Sequence, residues 1–183
     1  MGFPSQELFK AVFQSFGGSC GKRNGAKSQK DAAAGVQGTA AAGHRNPGAA
    51  AMVMMDLDNF KGINDRYGHD WGDEYLRRCA RILEKSNGER GIAARRSGDE
   101  FCLFLHHFSS REEIANYMEE LYGEIRAGEI TFPDGSTGFL RISSGLAWYG
   151  ESLNSGSMLL RAADYALYDA KNNGKGIWKQ YSL

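Results

Sequence analysis

Met52-Val53-Met54-Met55-Asp56-Leu57-Asp58-Asn59-Phe60-Lys61-Gly62-Ile63-Asn64-Asp65-Arg66-Tyr67-Gly68-His69-Asp70-Trp71-Gly72-Asp73 is the stretch that decides how this chain folds. Its apolar start ends abruptly in Asp56-Leu57-Asp58, and residues 51–57 read as a central strand buried on both faces. Residues 59–67 and 72–85 then carry helical spacing, the second placing Tyr75, Leu76, Cys79, Ile82 and Leu83 on one buried face. Further on, residues 91–96 and 101–107 are strand-like runs joined by Ser97-Gly98-Asp99-Glu100, so they pair as a hairpin. Carboxylates at a strand end and on a hairpin turn can meet at one divalent metal, which makes nucleotide chemistry the leading idea.

Outward from this centre, residues 110–126 form an amphipathic helix with Ile114, Tyr117, Met118, Leu121 and Ile125 inward. Pro133-Asp134-Gly135-Ser136 is a turn, and residues 138–148 read as one strand. A helix over residues 155–172 presents Met158, Leu159, Ala162, Ala166 and Leu167, Gly174-Lys175-Gly176 stops it, and residues 177–181 add an edge strand. Hairpins mixed with a crossover predict an α+β sheet layered by helices, not a doubly wound parallel fold.

The N-terminal part differs in composition. Residues 4–16 place Leu8, Phe9, Val12, Phe13 and Phe16 at helical spacing, after which the chain turns to Gly, Ala, Ser and Lys like a linker. The expected division is therefore residues 1–49 as helix plus linker and residues 50–183 as the compact domain. Lys+Arg and Asp+Glu are both 22, giving zero net charge and none of the basic footprint of a nucleic-acid binder. No apolar stretch has the length of a membrane span, no signal peptide is recognisable, and 3 scattered cysteines read as free thiols. These features together predict a cytoplasmic domain.

The strand exit carries Asp56 and Asp58, which alternation points the same way. They can flank a metal, and Asp58 can equally cap the following helix. That helix would offer free amides at Asn59, Phe60 and Lys61 to a polyphosphate. Asp99 and Glu100 would repel a third carboxylate unless a cation lay between them, and Gly98 would let a ligand approach the backbone. Asp73 can accept from guanine N1–H and N2–H₂ together, with Asn64 adding a second polar contact. Each also has a plain reading as a helix-surface or helix-start residue. Lys171 and Lys175 either complement the last helix's dipole or reach a terminal phosphate. His69 reads as structural, and His106-His107 has no evident partner.

With these motifs assembled, the chain resembles the GGDEF domains of the diguanylate cyclase family. The pattern Asp-x-Asp-x-Phe-Lys-x-Ile-Asn-Asp-x-Tyr-Gly-His-x-x-Gly-Asp is filled at every position from Asp56 to Asp73. Ser97-Gly98-Asp99-Glu100-Phe101 supplies the signature turn, and the run from Arg161 to Lys175 is similar to the last-helix signature. The resemblance implies a palm-like, ferredoxin-related, mostly antiparallel mixed sheet of the nucleotide-cyclase kind. It implies condensation of two GTP into cyclic di-GMP with release of pyrophosphate. Asp56, the Leu57 carbonyl, Asp99 and Glu100 would hold two Mg²⁺ or Mn²⁺ in each half-site, with Asp99 and Glu100 serving catalysis. Asn64 and Asp73 would read guanine, while Phe60, Lys61, Gly98, Lys171 and Lys175 would line the rest of the GTP site. A homodimer would bring two half-sites together, in the bacterial cytoplasm, under an upstream sensor or regulatory partner.

The chain departs from the family pattern in three places. Ser97 stands where the signature has its first glycine, at a cost of roughly 1 kcal/mol if that position needs positive φ. The motif that normally leads into the domain survives only as a trace, from Asp31 to Val36. Gly88 and Gly91 replace the Arg and Asp of the product-inhibition motif, so no inhibitory site is expected there. A catalytically silent GTP-binding module that regulates a partner is the alternative from a different class.

Overall fold

The computed structural model describes residues 48–150 and 152–182. The N-terminal helix expected over residues 4–16, the linker before residue 48, the trace motif at residues 31–36 and Cys20 lie outside the described residues. In chain order the elements are β1 (Ala49–Leu57), α1 (Phe60–Tyr67), α2 (His69–Asn87), β2 (Gly91–Ser97), β3 (Glu100–Phe108), α3 (Arg111–Ala127), β4 (Glu129–Thr131), β5 (Thr137–Phe139), β6 (Ile142–Trp148), α4 (Gly156–Asn172) and β7 (Trp178–Gln180).

β1 is the middle strand of a sheet ordered β2-β3-β1-β6-β7. Every neighbouring pair is antiparallel except β6 and β7, which run parallel. The fold is thus the α+β sheet layered by helices that the element order predicts, and the mostly antiparallel mixed sheet that the resemblance implies. The central position explains the apolar run of β1. Ala51, Val53, Met55 and Leu57 enter the core beneath α2 and α3, while Ala50, Met52 and Met54 enter a second core beneath α4. Alternation sends successive side chains to opposite faces, and both faces are covered, so no position needs to be polar.

α4 lies against β6 at Gly145, where an added Cβ would overlap the Ala163 carbonyl and the Leu167 amide. That close seat fixes the helix whose last turn carries Lys171. Ser110 caps α3 by accepting from the Glu113 amide, and Ser155 caps α4 by accepting from Met158, which accounts for two of the helix starts.

Four expectations change. The strand expected over residues 138–148 is two strands, because β5 turns away to pair with β4 in a separate two-stranded sheet. Leu140 is buried at the break, where the Arg141 carbonyl accepts from the Asp58 amide. The second helix begins at His69, since Gly68, at φ 85, is the only residue between α1 and α2. Asn59 is not helical but stands before α1 in a left-handed conformation, φ 59. Met158 is 44% exposed, and Leu160 and Ala163 take inward places on α4.

β3 also bulges. Ala49 pairs with Phe108 but Ala51 pairs with Leu105, so His106 and His107 together face Ala50. His107 absorbs the irregularity at φ 63.

Candidate active site

The register of the central strands brings the two acidic motifs together. Asp56 on β1 is the Cα partner of Glu100 on β3, and the Leu57 amide donates to the Asp99 carbonyl at 3.2 Å. The strand exit therefore abuts the hairpin turn across one ladder. Gly98 holds that turn at φ 49, a conformation costly for a residue with a Cβ, and Arg95 Nε braces its carbonyl at 2.8 Å. Ser97, in contrast, is not among the positive-φ residues, so the serine of the variant signature carries no left-handed strain. Its side chain turns to Glu100: Ser97 Oγ donates to Glu100 Oε2 at 2.8 Å, and Arg96 Nη1 lies 3.5 Å from the same oxygen. Arg96 also reaches Asp164 on α4 at 3.8 Å.

Asp56 has a partner of its own. Lys171 Nζ, in the last turn of α4, sits 2.8 Å from Asp56 Oδ2. Burial pushes the Asp56 carboxyl above the usual range; Lys171 opposes the shift, while Asp99 and Glu100 add repulsion. Partly buried oxygen donors under mutual repulsion suit a hard divalent cation in chemical type. Among the described residues no three His, Cys, Asp or Glu side chains converge tightly enough to hold a metal. Lys171 engages Asp56, and Ser97 and Arg96 engage one oxygen of Glu100. The donor set fits the cation in chemistry and in strand register, with its side chains held by internal partners.

Asp58 does something different from Asp56. It is buried, accepts from Ser143 Oγ at 2.8 and 3.0 Å, and accepts from the Gly176 amide at 2.9 Å. It makes no side-chain cap to α1. Asp58 thus fastens the end of β1 to β6 and to the loop after α4, and neither expected role, metal flank or helix cap, describes it. Sequence reasoning missed Ser143 and Gly176 because nothing in their types marks them as partners of a distant Asp.

The α1–α2 elbow carries the expected base-reading pair. An added Cβ on Gly72 would collide with Asn64 Oδ1, so the Asn64 amide lies on the backbone next to Asp73. Asn64 and Asp73 are therefore neighbours in space, Asp73 exposed and Asn64 half-buried. Phe60 packs toward Tyr75, with ring centroids 6.4 Å apart. The first α1 bond runs from the Ile63 amide to the Asn59 carbonyl, which leaves the amides of Phe60 and Lys61 at the open helix start. The elbow is braced from outside by Arg66 Nη2 to Asp134 Oδ2 at 2.6 Å and by Tyr67 stacked on Phe132 at 4.7 Å. Ser136 chiefly, with help from Arg66, holds the Asp134 carboxyl down at about 2.

Lys175 follows α4 at φ 60, and no ion pair is found for it among the described residues. Where the inhibition motif would stand, Gly88 and Gly91 offer no side chains. The intervening Arg90 lies over the Phe108 and Tyr117 rings, at 5.2 and 5.3 Å. No described helix is long and apolar enough to cross a membrane.

Strand order and the acidic hairpin beside the central strand define an α+β domain with a carboxylate-lined site. The family model described as diguanylate cyclase, GGDEF domain, matches residues 36–176. Diguanylate cyclase A of Treponema denticola is 34% identical over 125 residues, covering 68% of this chain and 33% of that protein. The GGDEF domain of TpbB (YfiN) from Pseudomonas aeruginosa superimposes with a TM-score of 0.69 at 32% identity, covering 74% of this chain and 78% of that one. The GGDEF domain of DgcB from Caulobacter crescentus, solved with c-di-GMP, gives a TM-score of 0.67 at 27% identity, covering 73% and 78%. This chain belongs to the GGDEF domain family. It spans about a third of the length of the curated relatives it matches.

Proposed function

We propose that the chain acts as a diguanylate cyclase, condensing two GTP into cyclic di-GMP with release of pyrophosphate. The observation that carries the reading is the meeting of three distant motifs: Asp56 in register with Glu100, and Lys171 Nζ 2.8 Å from Asp56. Asp56, the Leu57 carbonyl, Asp99 and Glu100 would hold two Mg²⁺ or Mn²⁺. When bound, these ions supply Lewis-acid stabilisation of the α-phosphate and a lowered pKa for the ribose 3′-hydroxyl.

The chain's own residues do the rest. Asp73 and Asn64 receive the guanine edge, Gly98 lets the substrate approach the turn, and the amides of Phe60 and Lys61 face the phosphates. Lys171 and Lys175 supply positive charge to the terminal phosphates. Each domain holds one GTP, so the reaction needs two copies face to face in a homodimer. Residues 50–183 form the catalytic domain in this reading, and residues 1–49 link it to a sensor or regulatory partner in the bacterial cytoplasm. With glycines at 88 and 91, product inhibition does not act through that position.

The entry motif, reduced to a trace from Asp31 to Val36, favours a second reading: a silent GTP-binding module. Incubating concentrated protein with GTP and Mg²⁺, with Glu100→Ala beside it, separates the two by mass spectrometry. Cyclic di-GMP from the unaltered chain alone supports the cyclase. GTP binding and dimerisation without product support the silent module.

A further inference from the structure

We propose that Ser97 is a positioning residue that presents Glu100 to the metal, so that the serine of the variant signature is a working part of the site. This rests on the cyclase reading only through Glu100 as a metal donor.

Ser97 and Glu100 are direct cross-strand partners on β2 and β3, so their side chains stand on the same face of the hairpin. The hydroxyl donates to Glu100 Oε2 at 2.8 Å. Arg96, the extra residue where the ladder slips between Arg95 and Ser97, approaches the same oxygen at 3.5 Å. Both contacts fall on Oε2, and among the described residues none is made to Oε1. A free glutamate samples many rotamers and loses that freedom when it binds a cation. Here the carboxylate is already fixed, with one oxygen anchored and the other unengaged. Glycine, which the family's signature places at this position, has no side-chain donor for this. Hydrogen bonds of this type to a ligating carboxylate orient it, and their loss weakens metal affinity by about tenfold or more.

The test is Mn²⁺ binding to nucleotide-free protein, followed by electron paramagnetic resonance, for the unaltered chain, Ser97→Ala, Ser97→Gly, Ser97→Thr and Glu100→Ala. Thermal unfolding of each variant confirms that it is folded. Ser97→Ala and Ser97→Gly should each bind Mn²⁺ about tenfold more weakly, and Ser97→Thr, which keeps the hydroxyl, should bind like the unaltered chain. Unchanged or tighter binding in the Ala and Gly variants, while Glu100→Ala loses the ion, would overturn the role of Ser97 and leave the metal site standing. Full Mn²⁺ binding by Glu100→Ala would remove Glu100 from the donor set, and Ser97's role with it.

Discussion

The ammonium of Lys171, on the last turn of α4, lies 2.8 Å from Asp56 Oδ2 at the end of β1. The family resemblance assigns one of these residues to phosphate and the other to metal, yet here they hold each other. Lys171 partly neutralises a carboxylate that burial and two acidic neighbours destabilise. In the proposed site a metal at Asp56 would compete with this lysine, which would then be available to a phosphate. Lys171→Met should tighten nucleotide-free Mn²⁺ binding about fivefold, the scale of a partly exposed ion pair, while weakening GTP. Calorimetric titration of each ligand checks both signs; weaker metal binding in the variant would sink the competition.

The seat of Asn64 on Gly72 makes a separate prediction for base choice. Gly72→Ala places a methyl where Asn64 Oδ1 now lies, so the amide must swing off the elbow. GTP affinity should fall about tenfold, with the five-stranded sheet intact by circular dichroism. Asp73→Ala should weaken GTP far more than ATP, because adenine lacks the paired N–H donors that the carboxylate accepts. Competition binding with both nucleotides measures this, and equal losses would end the base-reading role of Asp73.

The legible parts of this chain were those that local pattern dictates. An apolar run from Ala49 to Met55 fits a strand covered on both faces, so β1 is readable as central from the sequence. Ser97 to Glu100 punctuated two strand-like runs, so the hairpin was readable too. Contacts made across long sequence distances were not. Asp58 meets Ser143 and Gly176, 85 and 118 residues away, and no spacing rule encodes such a partnership. β4 escaped because only Ile130 of its three residues is buried, too short a run for alternation to show. Leu140 hid the break between β5 and β6, since a buried leucine continues a strand pattern as readily as it ends one. Lys171 was recognisable as a cation at a helix end, but its engagement with Asp56 depends on how closely α4 sits on β6.

That close seat is itself testable against a glycine of another kind. Gly145→Ala drives a methyl into the Ala163 carbonyl and the Leu167 amide, both backbone atoms that cannot rotate away. Gly98→Ala meets open space and suffers only from its φ of 49. The first should cost about 3 kcal/mol or more, the second about 1 kcal/mol. Urea unfolding ranks them directly, and a Gly98 variant less stable than the Gly145 variant would contradict this account of how α4 is held.

His106 gives the domain a stability that depends on acidity. Its ring is mostly buried at the β3 bulge, its Nδ1 has no hydrogen-bond partner, and the His107 ring lies 4.2 Å away, centroid to centroid. Burial first, and His107 second, lower its pKa to about 4 from the ordinary 6.5. The unfolded chain takes up a proton near 6.5, whereas the folded ring stays neutral until about 4. His106 therefore favours the folded state fully above pH 6.5, and that contribution fades as the pH falls toward 4. The loss should be roughly 1–2 kcal/mol, discounted for the ring's partial exposure. His106→Phe removes the titration, so its urea stability should fall less between pH 7.5 and pH 4.5, about one unit outside the window at the top and just inside it at the bottom. Parallel losses in the two proteins would show that the ring titrates alike in the folded and unfolded states.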